Sequence, residues 1–107
     1  MDRREVATSY SFRLFVAGHS ERSSSAEANL RALCESHVPG NFDIEVVDTA
    51  EQPALAEEQR ILATPIAIRL APLPQLRAIG DLSDQRRTAY ALGLPAPSGP
   101  ARQGDTE

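Results

Sequence analysis

The sequence predicts an α/β fold with a mixed sheet, and two observations carry that prediction. Strand-like and helix-like segments alternate through the first half of the chain, which favours a right-handed parallel strand–helix–strand crossover. Two short strand-like segments then follow without a helix between them, which favours an antiparallel pair. The predicted order is therefore β-α-β-α-β-β-α, with helices covering both faces of one sheet. This is the thioredoxin-like arrangement.

The bounds of each element follow from hydrophobic periodicity and turn residues. The first strand runs from Tyr10 to Ala17, with Phe12, Leu14 and Val16 on one face and Phe15 and Ala17 on the other. The later elements are a helix over Ser24–His37, a strand over Phe42–Asp48, a helix over Pro53–Arg60, strands over Ile66–Leu70 and Gln75–Ile79, and a helix over Asp84–Leu92 capped by Ser83.

The last two predicted strands are flanked by three prolines and a glycine, namely Pro65, Pro72, Pro74 and Gly80. Each proline removes a backbone donor, and glycine allows dihedral angles that other residues avoid. Folds of this type hold a cis proline where the third strand begins, so we predict a cis Thr64–Pro65 bond. The residues predicted to determine the fold are Thr64, Pro65, Pro72, Pro74, Gly80, Asp81 and Ser83.

The length of 107 residues suits one domain, which we place at residues 10–94. Residues 1–9 are short and polar, and residues 95–107 are rich in Pro, Gly and Ser, so both segments are predicted to be disordered. A domain of this size buries little surface, and a homo-oligomer (dimer or tetramer) or a docked partner would stabilise it.

The composition indicates which cellular compartment and which classes of partner to expect. No apolar run approaches the ~20 residues of a membrane span, and the N-terminus lacks an apolar signal segment. The single cysteine, Cys34, excludes an internal disulfide and fits a reducing compartment, so we expect a cytoplasmic protein without a membrane partner. The net charge of −4 argues against nucleic acid as the main partner.

The charge is unevenly distributed along the chain. Residues 10–58 hold nine acidic residues and three Arg, whereas residues 59–94 hold five Arg and two acidic residues. A basic C-terminal half suits an acidic protein surface, or the acidic N-terminal half of a second copy in an oligomer. Solvated arginines without any partner are an equally good interpretation of any single position.

The sequence predicts neither catalysis nor a metal or cofactor site. A redox thioredoxin needs a cysteine at the start of its first helix, but residues 18–23 contain none. Ser20 or Ser23 could bind glutathione, although helix caps are the favoured interpretation. Cys34 falls on the apolar stripe of the first helix and is predicted to be a buried, inert thiol. The two histidines, His19 and His37, do not have metal-ligand spacing.

Three segments resemble the KaiB family. They are the run Leu62–Pro65, the run Pro72–Asp84 with its Ile-Gly-Asp-Leu-Ser-Asp ending, and the strand and turn Leu14–Gly18. The resemblance extends from Phe12 to Leu92. It implies a non-enzymatic regulatory protein that binds a KaiC-like ring ATPase and modulates its phosphorylation cycle in a clock, a timer or a stress response. A clock histidine kinase, whose N-terminal domain resembles this family, would compete for the same ring. In a divergent paralogue, a histidine kinase could itself be the partner.

The resemblance also implies a second fold. Some family members rearrange their C-terminal half between an oligomeric ground-state fold and a thioredoxin-like monomer that binds the partner. The ground-state fold is therefore the alternative to the thioredoxin-like prediction. In the thioredoxin-like form, the helix Ala50–Arg60 and the hairpin Arg69–Arg77 would face the ATPase. The predicted partner-binding residues are Glu57, Arg60, Arg69 and Arg77.

Two other functional classes remain open at the level of sequence. One is a thiol- or glutathione-dependent enzyme of the thioredoxin superfamily, which would use Ser20, Ser23 or Cys34. The other is a self-associating stress protein without an ATPase partner.

Overall fold

A computed structural model shows a four-stranded mixed sheet with helices on both faces, and it describes residues 9–97. The elements are β1 (Tyr10–Val16), α1 (Glu21–His37), β2 (Phe42–Asp48), α2 (Pro53–Glu58), β3 (Ile66–Ala71), β4 (Leu76–Ile79) and α3 (Gln85–Ala91). This order confirms the predicted β-α-β-α-β-β-α sequence of elements.

The strands lie in the order β2-β1-β3-β4. β1 pairs in parallel with β2, which is the predicted crossover through α1, and in antiparallel with β3. β3 and β4 form the predicted antiparallel pair. The structure is therefore the thioredoxin-like form, and the rearranged ground-state fold is not the form that it shows.

The sheet buries a hydrophobic core on each face. Phe12, Leu14 and Val16 of β1 point towards α1 and α3, where they pack in a cluster with Leu30 and Leu92. Phe15 points to the opposite face and packs with Val47, Ile66 and Ile68 beneath α2. The two faces predicted for β1 are confirmed. Ala17 is the exception, because it follows the last residue of the strand and is exposed.

The Thr64–Pro65 bond is cis, as predicted. Ala71–Pro72 and Leu73–Pro74, in the connection between β3 and β4, are also cis, and the sequence analysis did not predict them. The carbonyl of Pro65 accepts a hydrogen bond from the N–H of Gly80 at 2.8 Å. Gly80 has a φ of 109°, so it occupies the region where glycine is favoured.

Several boundaries differ from the sequence predictions. α1 begins at Glu21 rather than Ser24, because Ser20 is its N-cap and accepts from the N–H of Ser23. Asp84, not Ser83, caps α3: its carboxylate accepts from the N–H of Arg87 at 3.1 Å. Ser83 instead donates its N–H to Asp81 Oδ1 at 3.1 Å. Two adjacent residues with capping side chains made this one-residue error possible.

The predicted disordered segments lie largely outside the described residues. Residues 95–97 are described and have neither helix nor strand, and His37 Nδ1 lies 2.7 Å from the carbonyl of Pro95. Within residues 9–97, none of the helices combines the length and the apolar character that a bilayer crossing requires.

Two glycines with left-handed backbones provide a matched test of packing at the end of α3. Gly40 (φ 70°) would place a Cβ in open space, whereas Gly93 (φ 64°) would place one 2.9 Å from Leu76 Cδ1 and 3.0 Å from Arg69 Nη1. We expect Gly40→Ala to lower the free energy of unfolding by roughly 1 kcal/mol, the backbone cost alone. Gly93→Ala should cost at least about 1 kcal/mol more, because Arg69 must move. Urea unfolding measures both, and equal losses would contradict the close packing at Gly93.

Candidate functional site

The end of α2 has an unusual backbone. The N–H of Arg60 donates to the carbonyl of Glu57 at 3.0 Å, and the N–H of Ile61 donates to the carbonyl of Ala56 at 2.9 Å. These two bonds form a Schellman motif, which ends a helix through one residue in the left-handed conformation. Glycine is the usual residue at that position, but here it is Arg60, with a φ of 55°. α2 therefore ends at Glu58 and not, as predicted, at Arg60.

The left-handed backbone of Arg60 costs free energy that burial of its side chain does not offset. A non-glycine residue with a left-handed backbone costs about 1–2 kcal/mol, and the Arg60 side chain is exposed. Backbone strain of this kind concentrates at functional sites. Arg60 is therefore a candidate for a residue whose exposed side chain contacts another molecule.

Arg77 lies beside the same end of α2. It is exposed on β4, and its Nη2 donates to the main-chain carbonyl of Gln59 at 2.5 Å and to Gln59 Oε1 at 3.2 Å. The fold thus brings together three of the four predicted partner-binding residues. We call the exposed residues Glu57, Arg60, Leu62 and Arg77 the α2-end surface.

Leu62 belongs to the α2-end surface although sequence reasoning did not single it out. Its side chain is 95% exposed. The preceding residue, Ile61, turns inwards and packs against the core beneath α2. Ile61 and Leu62 are adjacent aliphatic residues after a helix end, where the two side chains point in different directions. This pair was the sequence signal that one of the two is exposed. An isolated exposed leucine is common, but one next to a strained arginine is a good hydrophobic contact for a protein partner.

Arg69 does not belong to this surface, and its assignment as a partner contact is corrected. It is 6% exposed. Its Nη1 donates to the carbonyls of Leu92 and Gly93 at 3.1 and 3.2 Å, and its Nη2 donates to the carbonyl of Pro74 at 3.1 Å. Arg69 therefore fixes the C-terminal end of α3 to β3, where the helix dipole favours a cation. Its Nε is buried without a hydrogen-bond partner in the described part of the chain.

The loop between β4 and α3 is built by Asp81 and its neighbours. Asn29 Nδ2 of α1 donates to the main-chain carbonyl of Asp81 at 2.8 Å. Hydrogen bonds from the side chain and backbone of Ser83 hold the pKa of Asp81 below its ordinary value. Leu82 is buried, so the turn places a hydrophobic side chain in the core. Its φ of 63° lies in the left-handed region, where a leucine is strained. Gly80, Asp81 and Ser83 thus act together to shape the turn.

The geometry does not support thiol chemistry at α1. Ser20 Oγ accepts from the N–H of Ser23 at 3.1 Å and lies 2.9 Å from Ser23 Oγ, so both hydroxyls serve the helix cap. Cys34 is fully buried, and burial raises the pKa of its thiol to about 12. Among residues 9–97 there is no group of three or more His, Cys, Asp or Glu side chains that could hold a metal ion.

Comparison with known families gives a match over most of the chain. The model of the KaiB domain matches residues 13–94. A protein named circadian clock oscillator protein KaiB, from Synechococcus sp. (strain RCC307), is 42% identical over 85 residues, covering 79% of this chain and 77% of its own. The circadian clock protein KaiB3 of Synechocystis sp. is 37% identical over 82 residues, covering 77% of this chain and 80% of its own.

Solved structures confirm the thioredoxin-like fold. The solution structure of the N-terminal domain of Synechococcus elongatus SasA superposes with a TM-score of 0.66 at 21% identity, covering 100% of this chain and 97% of that domain. Mitochondrial thioredoxin 3 of Saccharomyces cerevisiae, in its oxidized form, gives a TM-score of 0.62 at 15% identity, over 78% of this chain and 76% of its own. At these identities the similarity concerns the fold alone.

Replacing Arg69 tests its role as a tie between β3 and α3. Methionine has a similar length but no donor, so Arg69→Met leaves the carbonyls of Leu92, Gly93 and Pro74 without their shared partner. We expect the free energy of unfolding to fall by at least about 2 kcal/mol, measured by urea denaturation. The control is Arg86→Met, an exposed position on α3 that should change it by no more than about 0.5 kcal/mol. Similar effects for the two variants would contradict the role of Arg69.

Because the Cys34 thiol is buried, the free energy of unfolding should fall as the pH rises above 9. The folded protein keeps the thiol protonated up to a pKa of about 12, against an ordinary value of 9.0. Above pH 9 the unfolded chain therefore binds fewer protons than the folded one, and stability falls as pH rises. We expect the stability of the parent relative to Cys34→Ala to fall by about 0.4 kcal/mol from pH 8 to pH 9 and by about 1 kcal/mol from pH 9 to pH 10, since half of the unfolded thiols are still protonated at pH 9. Urea unfolding of both proteins at pH 8, 9 and 10 measures it; a constant difference would refute the burial of this thiol.

Proposed function

The chain belongs to the KaiB family, and we propose that it is a non-enzymatic regulatory protein that binds a KaiC-like ring ATPase and modulates its phosphorylation or ATPase cycle. Its named relatives are circadian clock proteins, which supports a role in clock regulation. The observation that carries the proposal is the extent of the family match. It runs from residue 13 to residue 94 and includes every residue of the α2-end surface.

The chemistry of the α2-end surface supports a protein as the partner. Two guanidinium groups, a carboxylate and an exposed leucine stand at or beside the end of α2. Arginine is enriched among the residues that dominate protein–protein binding, and an aliphatic side chain can fill a pocket on the partner. We therefore assign the contact with the ATPase to Glu57, Arg60, Leu62 and Arg77, and we leave out Arg69 because it is buried.

A histidine kinase is the second clock component that we propose. The SasA N-terminal domain has the same fold, with a TM-score of 0.66. Two proteins with one scaffold can offer similar surfaces to a single ring, so we propose that a kinase carrying such a domain competes with this chain for the ATPase. We expect the kinase domain and this chain to compete for the ATPase rather than to bind each other, since each would occupy the same site on the ring.

Self-association is a second candidate function with an observation in its favour. The large hydrophobic side chains of Leu62, Leu73 and Tyr90 are 95%, 76% and 88% exposed. Burying them between copies would stabilise a dimer or tetramer. Sedimentation of the protein with and without the ATPase and ATP distinguishes the two candidates. An oligomer that remains intact in the presence of both would favour the self-associating protein.

Arg60 allows stability and binding to be separated. Arg60→Gly places the favoured residue in the left-handed position, so we expect the free energy of unfolding to rise by about 1 kcal/mol. The same variant removes a contact residue, so its affinity for a KaiC-like ATPase from the same genome should fall at least about tenfold with ATP present. Arg60→Ala should lose the affinity without gaining the stability, and the exposed Arg86→Ala should change neither.

Size-exclusion chromatography and a binding titration under each nucleotide state measure these effects. The proposal fails if no complex forms under any nucleotide condition. The assignment of the surface fails if Arg60→Gly and Arg60→Ala bind as tightly as the parent.

A further inference from the structure

Among residues 9–97, β4 is an open edge of the sheet. It is the last strand in the order β2-β1-β3-β4, and its register pairs Ile79 with Ile66 and Ala78 with Ala67. The N–H of Gly80 donates to the carbonyl of Pro65, so hydrogen-bonded pairs fall at positions 80, 78 and 76. Because such pairs alternate in antiparallel strands, the N–H and C=O groups of Arg77 and Ile79 point away from β3.

The free edge of β4 borders a groove between the strand and the helices. Arg22 of α1 and Arg87 and Thr88 of α3 line one side of it, and Arg77 and Ile79 of β4 form the other. The side chain of Ile79 is 68% exposed, on the opposite face of the sheet from Ala78. An edge with outward donors and an exposed isoleucine is a template for one more strand.

The edge of β4 carries a positive charge that selects its occupant. Three arginines flank it: Arg22 and Arg87 on the side of α1 and α3, and Arg77 on the side of α2. The carboxylates of Asp81 and Asp84 are also there, but each accepts a backbone hydrogen bond from its own turn. The arginines outnumber them, so an acidic segment is attracted. Two β4 edges paired with each other would bring six arginines together, which argues against a second copy.

We propose that β4 accepts an extended acidic segment of a partner protein as an additional strand. Its backbone pairs with Arg77 and Ile79, and alternate side chains reach the two faces of the sheet. On the α1 and α3 side, acidic side chains meet Arg22 and Arg87. On the α2 side, one acidic and one apolar side chain meet Arg77 and Ile79. This site goes beyond the proposed ATPase contact, with which it shares Arg77.

A short synthetic peptide tests this site on the full chain. The probe is a peptide with blocked ends and the repeat Glu-Val-Glu-Glu, which places Glu along one face and Val and Glu in turn along the other, and its control has Lys in place of Glu. In an NMR titration of the ¹⁵N-labelled protein, we expect the amide signals of Arg77, Ile79 and Gly80 to shift with the Glu peptide only. Raising the salt concentration should weaken the binding.

Neighbouring arginines on α3 supply a matched pair of variants. Arg87 lines the groove, whereas Arg86 is exposed and lies outside it. Both belong to the first turn of α3, where a carboxylate is tolerated. We expect Arg87→Glu to weaken binding of the Glu peptide at least fivefold and Arg86→Glu to change it less than twofold. Ile79→Pro, which removes an outward N–H, should abolish binding while Ile79→Ala retains it.

Each alternative outcome overturns the proposal in a different way. Equal binding of the Lys peptide removes the charge argument, and shifts centred away from β4 remove the site. Concentration-dependent shifts of the same amides without peptide assign the edge to a second copy. If Ile79→Pro does not fold, the Arg87 and Arg86 variants decide. Since no ATPase is present, failure here is distinguishable from failure of the proposed function.

Discussion

β1 is the strand on which the rest of the structure depends. It is the one strand that joins the parallel and antiparallel halves of the sheet, because it pairs with β2 on one side and β3 on the other. Phe12 and Leu14 fill the core beneath α1 and α3, and Phe15 fills the core beneath α2. A one-residue slip of β1 would exchange these faces and expose both cores at once. Pairing and packing therefore specify the same register.

The sequence predicted those features that local rules determine. Alternation in β1 and the order of the elements follow from periodicity, and the fold confirmed them. The cis bond at Pro65 was predicted from the fold class, which places a cis proline where the third strand begins, and it is also confirmed. The burial of Arg69 could not be predicted, because an arginine in a short strand is normally exposed. Only the approach of the end of α3 supplies the carbonyls that accept its hydrogen bonds. The left-handed conformation of Arg60 could not be predicted either, since glycine is the residue that usually indicates such a position.

The chain keeps the thioredoxin-like scaffold without a cysteine at the start of α1. Ser20 occupies the start of α1, where an oxidoreductase needs its reactive cysteine, and it caps the helix. The cysteine that is present, Cys34, is sealed in the core. The exposed and strained residues lie instead at the end of α2 and along β4. Leu62 and Arg77 of the candidate site fall between residues 62 and 84, where the family signature is concentrated.

Arg77 belongs to both of the proposed surfaces. Its guanidinium group holds the carbonyl of Gln59 at the end of α2, while its main chain forms part of the open edge of β4. If both proposed sites bind, a molecule that orders one of these surfaces would also restrain the other, because both depend on a single residue. Occupancy of the two is then thermodynamically linked, and whatever one ligand does to the affinity of the second, the second does equally to the first. A single side chain would make this small domain a junction that senses two partners together.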